Sequence, residues 1–202
     1  MEGALRERGG QPGLKLIETM LWDGHAAAHW PLHLARLRQS AALLGWNCPA
    51  LRPTGPQHPA RLRLTLDATG RAEWQTSALP HVTPLWRVGL AAERLASDDP
   101  WLRVKSTNRG AYDRARAALP DGMDEVLLQN QRGEVCDGGI TTVFFDRGQG
   151  LRTPPLSSGL LPGVLRAALA CPEEVLLAKD LPHVRLWVGN ALRGLIPAFF
   201  CS

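Results

Sequence analysis

Residues 133–166 read GEVCDGGITTVFFDRGQGLRTPPLSSGLLPGVLR, and this stretch decides the fold. It reads as a strand, a turn, a short strand, a loop and the start of a helix, the last marked by Pro162-Gly163. Proline suits a first helical turn, where its missing N–H has no intrahelical partner. The later amides of such a turn stay available to an anion, so a strand–loop–helix passage is a common seat for an anionic cofactor. Glu134, Asp137, Thr141 and Thr142 crowd the same stretch with acids and hydroxyls.

Upstream, LKLIETMLW (14–22) predicts a strand closed by the turn dipeptide Asp23-Gly24. His29 to Trp46 predicts a helix: Pro31 suits its first turn, and Leu34, Leu37, Ala41 and Leu44 recur at helical spacing. Gly45 is its expected stop, and Arg36 and Arg38 fall off or beside the apolar stripe. Residues 61–66, RLRLTL, alternate with period two as a half-buried strand does, with a return strand near 71–76. A further strand is expected at 85–90, a linker at ASDDP (96–100), and a short strand WLRVK ending at Lys105. Then follow a helix from about 108 to 119, strands at 125–129 and 140–145, a helix at 161–170 and a strand at 184–188. The pattern predicts an α+β protein in two lobes. Residues 1–98 would form a small α+β domain, with 1–13 a loose leader, and residues 99–202 a larger α/β domain.

The chain has 202 residues, enough for one substantial core or two small lobes. With 45% hydrophobic and 21% charged residues the composition is that of a globular protein, and no apolar run reaches membrane-spanning length. The N-terminus lacks the apolar core of a secretory signal, and the four cysteines form no CxxC pair, so a reducing cytoplasm is expected. The net charge of +4 is dispersed along the chain without interleaved aromatics, so no nucleic-acid surface is expected. His25, His29 and His33 recur every four residues, but Pro31 leaves His25 outside the helix and no cysteine completes a ligand set; no metal is expected. P-loop, GxGxxG and G-x-S-x-G signatures are absent.

Arginine is abundant, whereas lysine occurs only at positions 15, 105 and 179, so amine chemistry has three candidates. Lys105, in RVKSTNRGAYD, stands where a strand is expected to end and a helix to begin. Spacing alone leaves it either a surface lysine at a helix cap or a Schiff-base lysine, partly desolvated so that it loses its proton easily. The downstream pattern resembles the class IV aminotransferases, the fold-type IV pyridoxal-phosphate enzymes. Asp137-Gly-Gly139-Ile-Thr-Thr142-Val-Phe144 is similar to the first part of that family's signature, Leu151-Arg-Thr153 to the second, and Leu161-Pro-Gly163-Val-Leu-Arg166 to the third. HLARLRQSAALLG, KSTNR and GNALRG resemble further family segments, and the likeness covers about residues 14–197.

The resemblance implies a role for each matching residue. Lys105 would bond pyridoxal 5'-phosphate and act as acid and base at the substrate α-carbon, and Asp137 would pair with the pyridine nitrogen. Arg36, Thr141, Thr142 and the amides of Gly163 and Val164 would hold the phosphate, with Tyr112, Asn108 and Arg109 as further ring or substrate contacts. The sequence departs from the family's pattern in three places. Asp137 stands where glutamate is usual, which keeps Glu134 as the alternative acid; Thr142 replaces asparagine; and no Gly-Asp-Gly segment precedes LIETM. Within the family, LIETM, HLARLRQSA, KSTNR, TPPLSSGLLPGVLR and GNALRG look most like 4-amino-4-deoxychorismate lyases of folate biosynthesis. The expectation is therefore a cytoplasmic, homodimeric lyase acting on a small amino substrate. The alternatives are a small amino-acid transaminase and a non-catalytic cofactor-binding relative.

Overall fold

The computed structural model describes the backbone of residues 2–201 and the side chains of residues 5–7 and 9–201. Met1, part of the expected leader, lies outside the described residues. The chain divides into two compact units, Met1–His81 with Arg103–Asn108, and Val82–Leu102 with Arg109–Ser202.

The first unit is a three-stranded antiparallel sheet, β1 (Lys15–Trp22), β2 (Ala60–Asp67) and β3 (Ala72–Ser77), carrying helices α1 (Glu2–Gly9) and α2 (Trp30–Leu44). Period-two alternation in β2 puts Ala60, Leu62, Leu64 and Leu66 inside, paired across to Trp22, Met20, Glu18 and Leu16 of β1. α2 stops at Gly45, whose φ of 73° is the left-handed conformation glycine adopts without steric penalty, and the Trp46 amide closes back on Ala41 O at 2.8 Å. The expected loose leader is instead a helix from Glu2: Leu5 is buried, and the Trp46 indole N–H donates to Gly9 O at 3.2 Å. Trp101–Arg103, expected as the first part of the strand WLRVK, lie instead in a 3-10 turn, Pro100–Arg103. Residues 105–107 then run extended beside β1: Ile17 N–H donates to Lys105 O at 2.9 Å and Thr107 N–H to Lys15 O at 2.8 Å. These bonds tie Lys105 to the first unit, although it lies beyond residue 98, the boundary expected from composition.

The second unit is a closed six-stranded barrel of β4 (Trp86–Leu95), β5 (Glu125–Asn130), β6 (Val135–Gly138), β7 (Thr142–Asp146), β8 (Arg185–Asn190) and β9 (Gly194–Phe200). β4 pairs in parallel with both β5 and β9, and the remaining pairs are antiparallel. β5 is buried along its whole length because both faces are covered. Leu127 packs with Val88, Val143, Phe145 and Val188, while Val126 and Leu128 pack with Cys136, Leu160 and Ala115 of α3 (Gly110–Ala117). β9 is an element the periodicity does not announce, since Pro197 interrupts its short apolar run. ASDDP, expected as a linker, is a turn bound within this unit: Ser97 N–H donates to Gln131 Oε1 at 3.0 Å, and Gly159 approaches so closely that an added Cβ would lie 2.6 Å from Ser97 Cα. α4 is shorter than expected, Val164–Leu169, and opens at Gly163.

Candidate active site

The residues nominated from sequence fall on both units, and each unit presents its own set. On the first, Lys105 is half-buried, between buried Val104 and Ser106. Its backbone is fastened to β1 on either side of the Leu16–Ser106 bridge, which fixes the register of the lysine along that strand. Arg36 sits on the buried face of α2 with His33, Leu37, Ser40, Ala41 and Leu44, so it belongs to the inward stripe rather than beside it. The cause is Glu18 on β1, a carboxylate 1% exposed that the sequence reading passed over. Arg36 donates to it twice, Nε to Oε1 at 2.9 Å and Nη2 to Oε2 at 2.6 Å, and His33 Nδ1 meets Oε2 at 2.6 Å. Burial pushes the Glu18 carboxyl upward, but the Arg36 charge and the hydrogen bonds from His33 and Arg36 outweigh it and hold it below its ordinary value. His33 Nε2 is buried without a hydrogen-bond partner, and the side chain serves this cluster rather than a metal set with exposed His25 and His29.

On the second unit Asp137 is 4% exposed at the end of β6, cross-strand from Thr142 on β7. Its Oδ2 accepts the Leu161 N–H at 2.8 Å, which joins the loop entering α4 to the carboxylate. Gly163 then packs on Thr142 so tightly that a Cβ there would lie 2.5 Å from Thr142 Oγ1. Only glycine brings the first amides of α4 this near that hydroxyl. Thr141 differs: its hydroxyl donates to the buried Glu125 carboxylate at 2.9 Å. Tyr112, on α3, carries the Arg109 guanidinium 5.6 Å from its ring centroid. Its hydroxyl is buried without a hydrogen-bond partner, and burial followed by the Asp137 charge pushes its pKa well up.

Glu134, the alternative acid, is occupied elsewhere. Arg132 grips both its oxygens at 2.9 and 2.8 Å, and Asn130 Nδ2 and Ser158 Oγ reach it at 2.9 and 2.8 Å. The Arg132 contact, against the opposing effect of burial and with help from Asn130 and Ser158, holds its pKa down at about 2. These bonds tie the β5–β6 turn to the 3-10 turn Leu156–Ser158, a fastening role.

A ring with a basic nitrogen and a phosphate suits this donor set. Asp137 offers a buried carboxylate to a ring nitrogen, the buried Tyr112 hydroxyl lacks a partner, and the absence of a side chain at Gly163 lets the first amides of α4 approach the Thr142 hydroxyl.

Comparison with known proteins agrees. The family model "Amino-transferase class IV" matches residues 15–198. A Schizosaccharomyces pombe protein that carries the provisional name aminodeoxychorismate lyase is 33% identical over 172 residues, 76% of this chain and 72% of that protein. A crystal structure from Mesorhizobium loti, provisionally titled an amino-acid aminotransferase, is 41% identical with a TM-score of 0.88 over 93% of this chain and all of that one. A Legionella pneumophila structure, provisionally titled 4-amino-4-deoxychorismate lyase, shares the fold at 20% identity and a TM-score of 0.78, over 92% of this chain and 82% of that one. The chain belongs to the class IV aminotransferase family, whose members are pyridoxal-phosphate-dependent enzymes of fold type IV.

Proposed function

We propose that this protein is a 4-amino-4-deoxychorismate lyase, converting its substrate to 4-aminobenzoate and pyruvate for folate biosynthesis. The observation that carries the cofactor half of this reading is the buried Asp137 carboxylate, held by the Leu161 amide next to the Thr142–Gly163 contact. The choice of lyase rests on the 33% identical relative of that name.

Asp137 is the acid assigned to the ring nitrogen, because Glu134 already serves Arg132, Asn130 and Ser158. Thr142, with the Gly163 and Val164 amides, is assigned to the phosphate, and Thr141 acts behind it through Glu125. Arg36 is the assigned phosphate cation, oriented by Glu18. Tyr112 offers its buried hydroxyl to the ring substituents, and Lys105 is the amine that bonds the cofactor. Bound pyridoxal phosphate supplies the electron sink that acidifies the carbon bearing the substrate amine. The Lys105 amine takes that proton. The proton then passes to the methylene of the departing enolpyruvyl group as its C–O bond breaks, so the substrate's atoms are recovered as aromatic 4-aminobenzoate and pyruvate.

A second reading, an amino-acid transaminase, is favoured by the 41% identical aminotransferase structure and uses the same proton removal. Purified protein is offered aminodeoxychorismate with detection of pyruvate and 4-aminobenzoate, beside an amino donor with a keto acid. Formation of aminobenzoate supports the lyase; transamination without it overturns that choice. Lys105→Ala removes either activity and removes borohydride fixation of the cofactor, and turnover retained by that variant refutes the lysine's role. We further propose a homodimer acting in the cytoplasm, checked by sedimentation and by cell fractionation.

A further inference from the structure

The turn between Asp137 and Thr142 has no side-chain core of its own, yet the N–H and C=O groups of Gly139 and Ile140 are met from outside the hairpin. Gly139 N–H donates to Val126 O at 2.9 Å, Ile140 N–H to Glu125 Oε2 at 3.1 Å, and the Gly139 carbonyl accepts from Arg109 Nη2 at 2.7 Å. The Ile140 carbonyl accepts from Asn190 Nδ2 at 3.1 Å. At the centre is Glu125, fully buried at the start of β5. Besides Ile140 and the Thr141 hydroxyl, its carboxylate accepts Arg116 Nη1 at 2.8 Å and the Val126 N–H at 3.0 Å. Gly138 and Gly139 fit closely around this carboxylate: Cβ atoms built on them would each come 3.0 Å from one of its oxygens.

Burying a carboxylate costs several kcal/mol unless every lone pair is used, and here four donors use them. Two of the four lie in the turn that carries Asp137 at one end and Thr142 at the other. We propose that Glu125 is a positioning residue that holds the Asp137–Thr142 turn in the geometry that binds the cofactor ring and phosphate. This rests on the cofactor assignments made above and extends them to a residue that touches neither cofactor nor substrate. Ile140 and Thr141 meet one carboxylate oxygen and Arg116 and the Val126 N–H the other, so an amide at 125, with one acceptor oxygen and an NH2, opposes one of the two donor pairs and loosens the carboxylate's hold between β5 and the turn.

The test uses the full chain with pyridoxal phosphate, comparing the unsubstituted protein with Glu125→Gln and Arg116→Met. Cofactor affinity, the visible band of the bound cofactor and the pH midpoint of that band are read alongside thermal melting. Glu125→Gln is expected to weaken cofactor binding about tenfold, equivalent to roughly 1.4 kcal/mol. It also shifts the pH midpoint, because Asp137 no longer meets the ring nitrogen squarely. A merely structural role lowers the melting temperature and leaves the band and its midpoint unchanged in the folded protein; that result refutes the proposal. Where Glu125→Gln does not fold, Arg116→Met decides by the same readouts, since it frees the Glu125 carboxylate from its cation. No cofactor band in the unsubstituted protein refutes the assignments of the preceding section, an outcome distinct from equal bands in all three proteins.

Discussion

Replacing Glu18 by glutamine tests the buried cluster that sets Arg36. Arg36, its guanidinium 9% exposed, donates to the carboxylate at 2.9 and 2.6 Å, and His33 Nδ1 meets it at 2.6 Å. Glutamine keeps one acceptor oxygen, points its NH2 at a donor and removes the Glu18 charge from beside the Arg36 guanidinium. Breaking one partner of a buried pair costs about 3–5 kcal/mol, a large share of the roughly 5–15 kcal/mol that stabilises a domain. The residual exposure of Arg36 puts the expected loss at the lower end, about 3 kcal/mol. Hydrogen exchange of the β1 and β2 amides reads this unit separately from the barrel. Acidity gives an independent check. The folded Glu18 pKa is depressed, so its contribution is full above the ordinary glutamate value and is lost as pH falls through the lowered folded one. Glu18→Gln lacks that acid-dependent loss. Glu18→Leu with Arg36→Met and His33→Leu, which exchanges all three members of the cluster for apolar groups, is expected to recover most of the stability while cofactor affinity stays low. A loss below about 1 kcal/mol in Glu18→Gln, the value of an exposed pair, refutes the reasoning.

Gly163→Ala keeps an allowed backbone, with φ −65° and ψ 142°, so its effect isolates the contact with Thr142. Displacing that hydroxyl is expected to cost about 1–3 kcal/mol and to weaken cofactor binding, read by melting and by absorbance titration; unchanged affinity separates Thr142 from the phosphate. Glu134, with its pKa near 2, contributes stability that is full above the ordinary carboxylate range and disappears as pH falls toward 2. Glu134→Gln therefore flattens the acid limb of the stability curve while leaving the pH midpoint of the cofactor band in place. A moved midpoint reassigns Glu134 to the ring nitrogen.

Local pattern by itself determined a good part of this protein. The alternation in residues 61–66 marks β2, Pro31 and Gly45 bracket α2, and Pro162-Gly163 announces α4. The ordered segments around Lys105, Asp137 and Gly163 suffice to nominate a cofactor class, since each is read within a few consecutive residues. Tertiary structure alone decided which partners each acid meets. Arg36 counts as off-stripe by helical spacing and is buried because Glu18, on another element, neutralises it. Glu134 and Asp137 are three residues apart and equally acidic on paper, and their neighbours divide them: Arg132 and Ser158 take one, the Leu161 amide the other. Lys105 joins the first unit through backbone bonds to β1 that no side-chain pattern encodes. Periodicity reports which face of an element is apolar. It carries no term for a buried charge, whose position is set by the partner that meets it across the fold, as Glu125 meets a turn fifteen residues away.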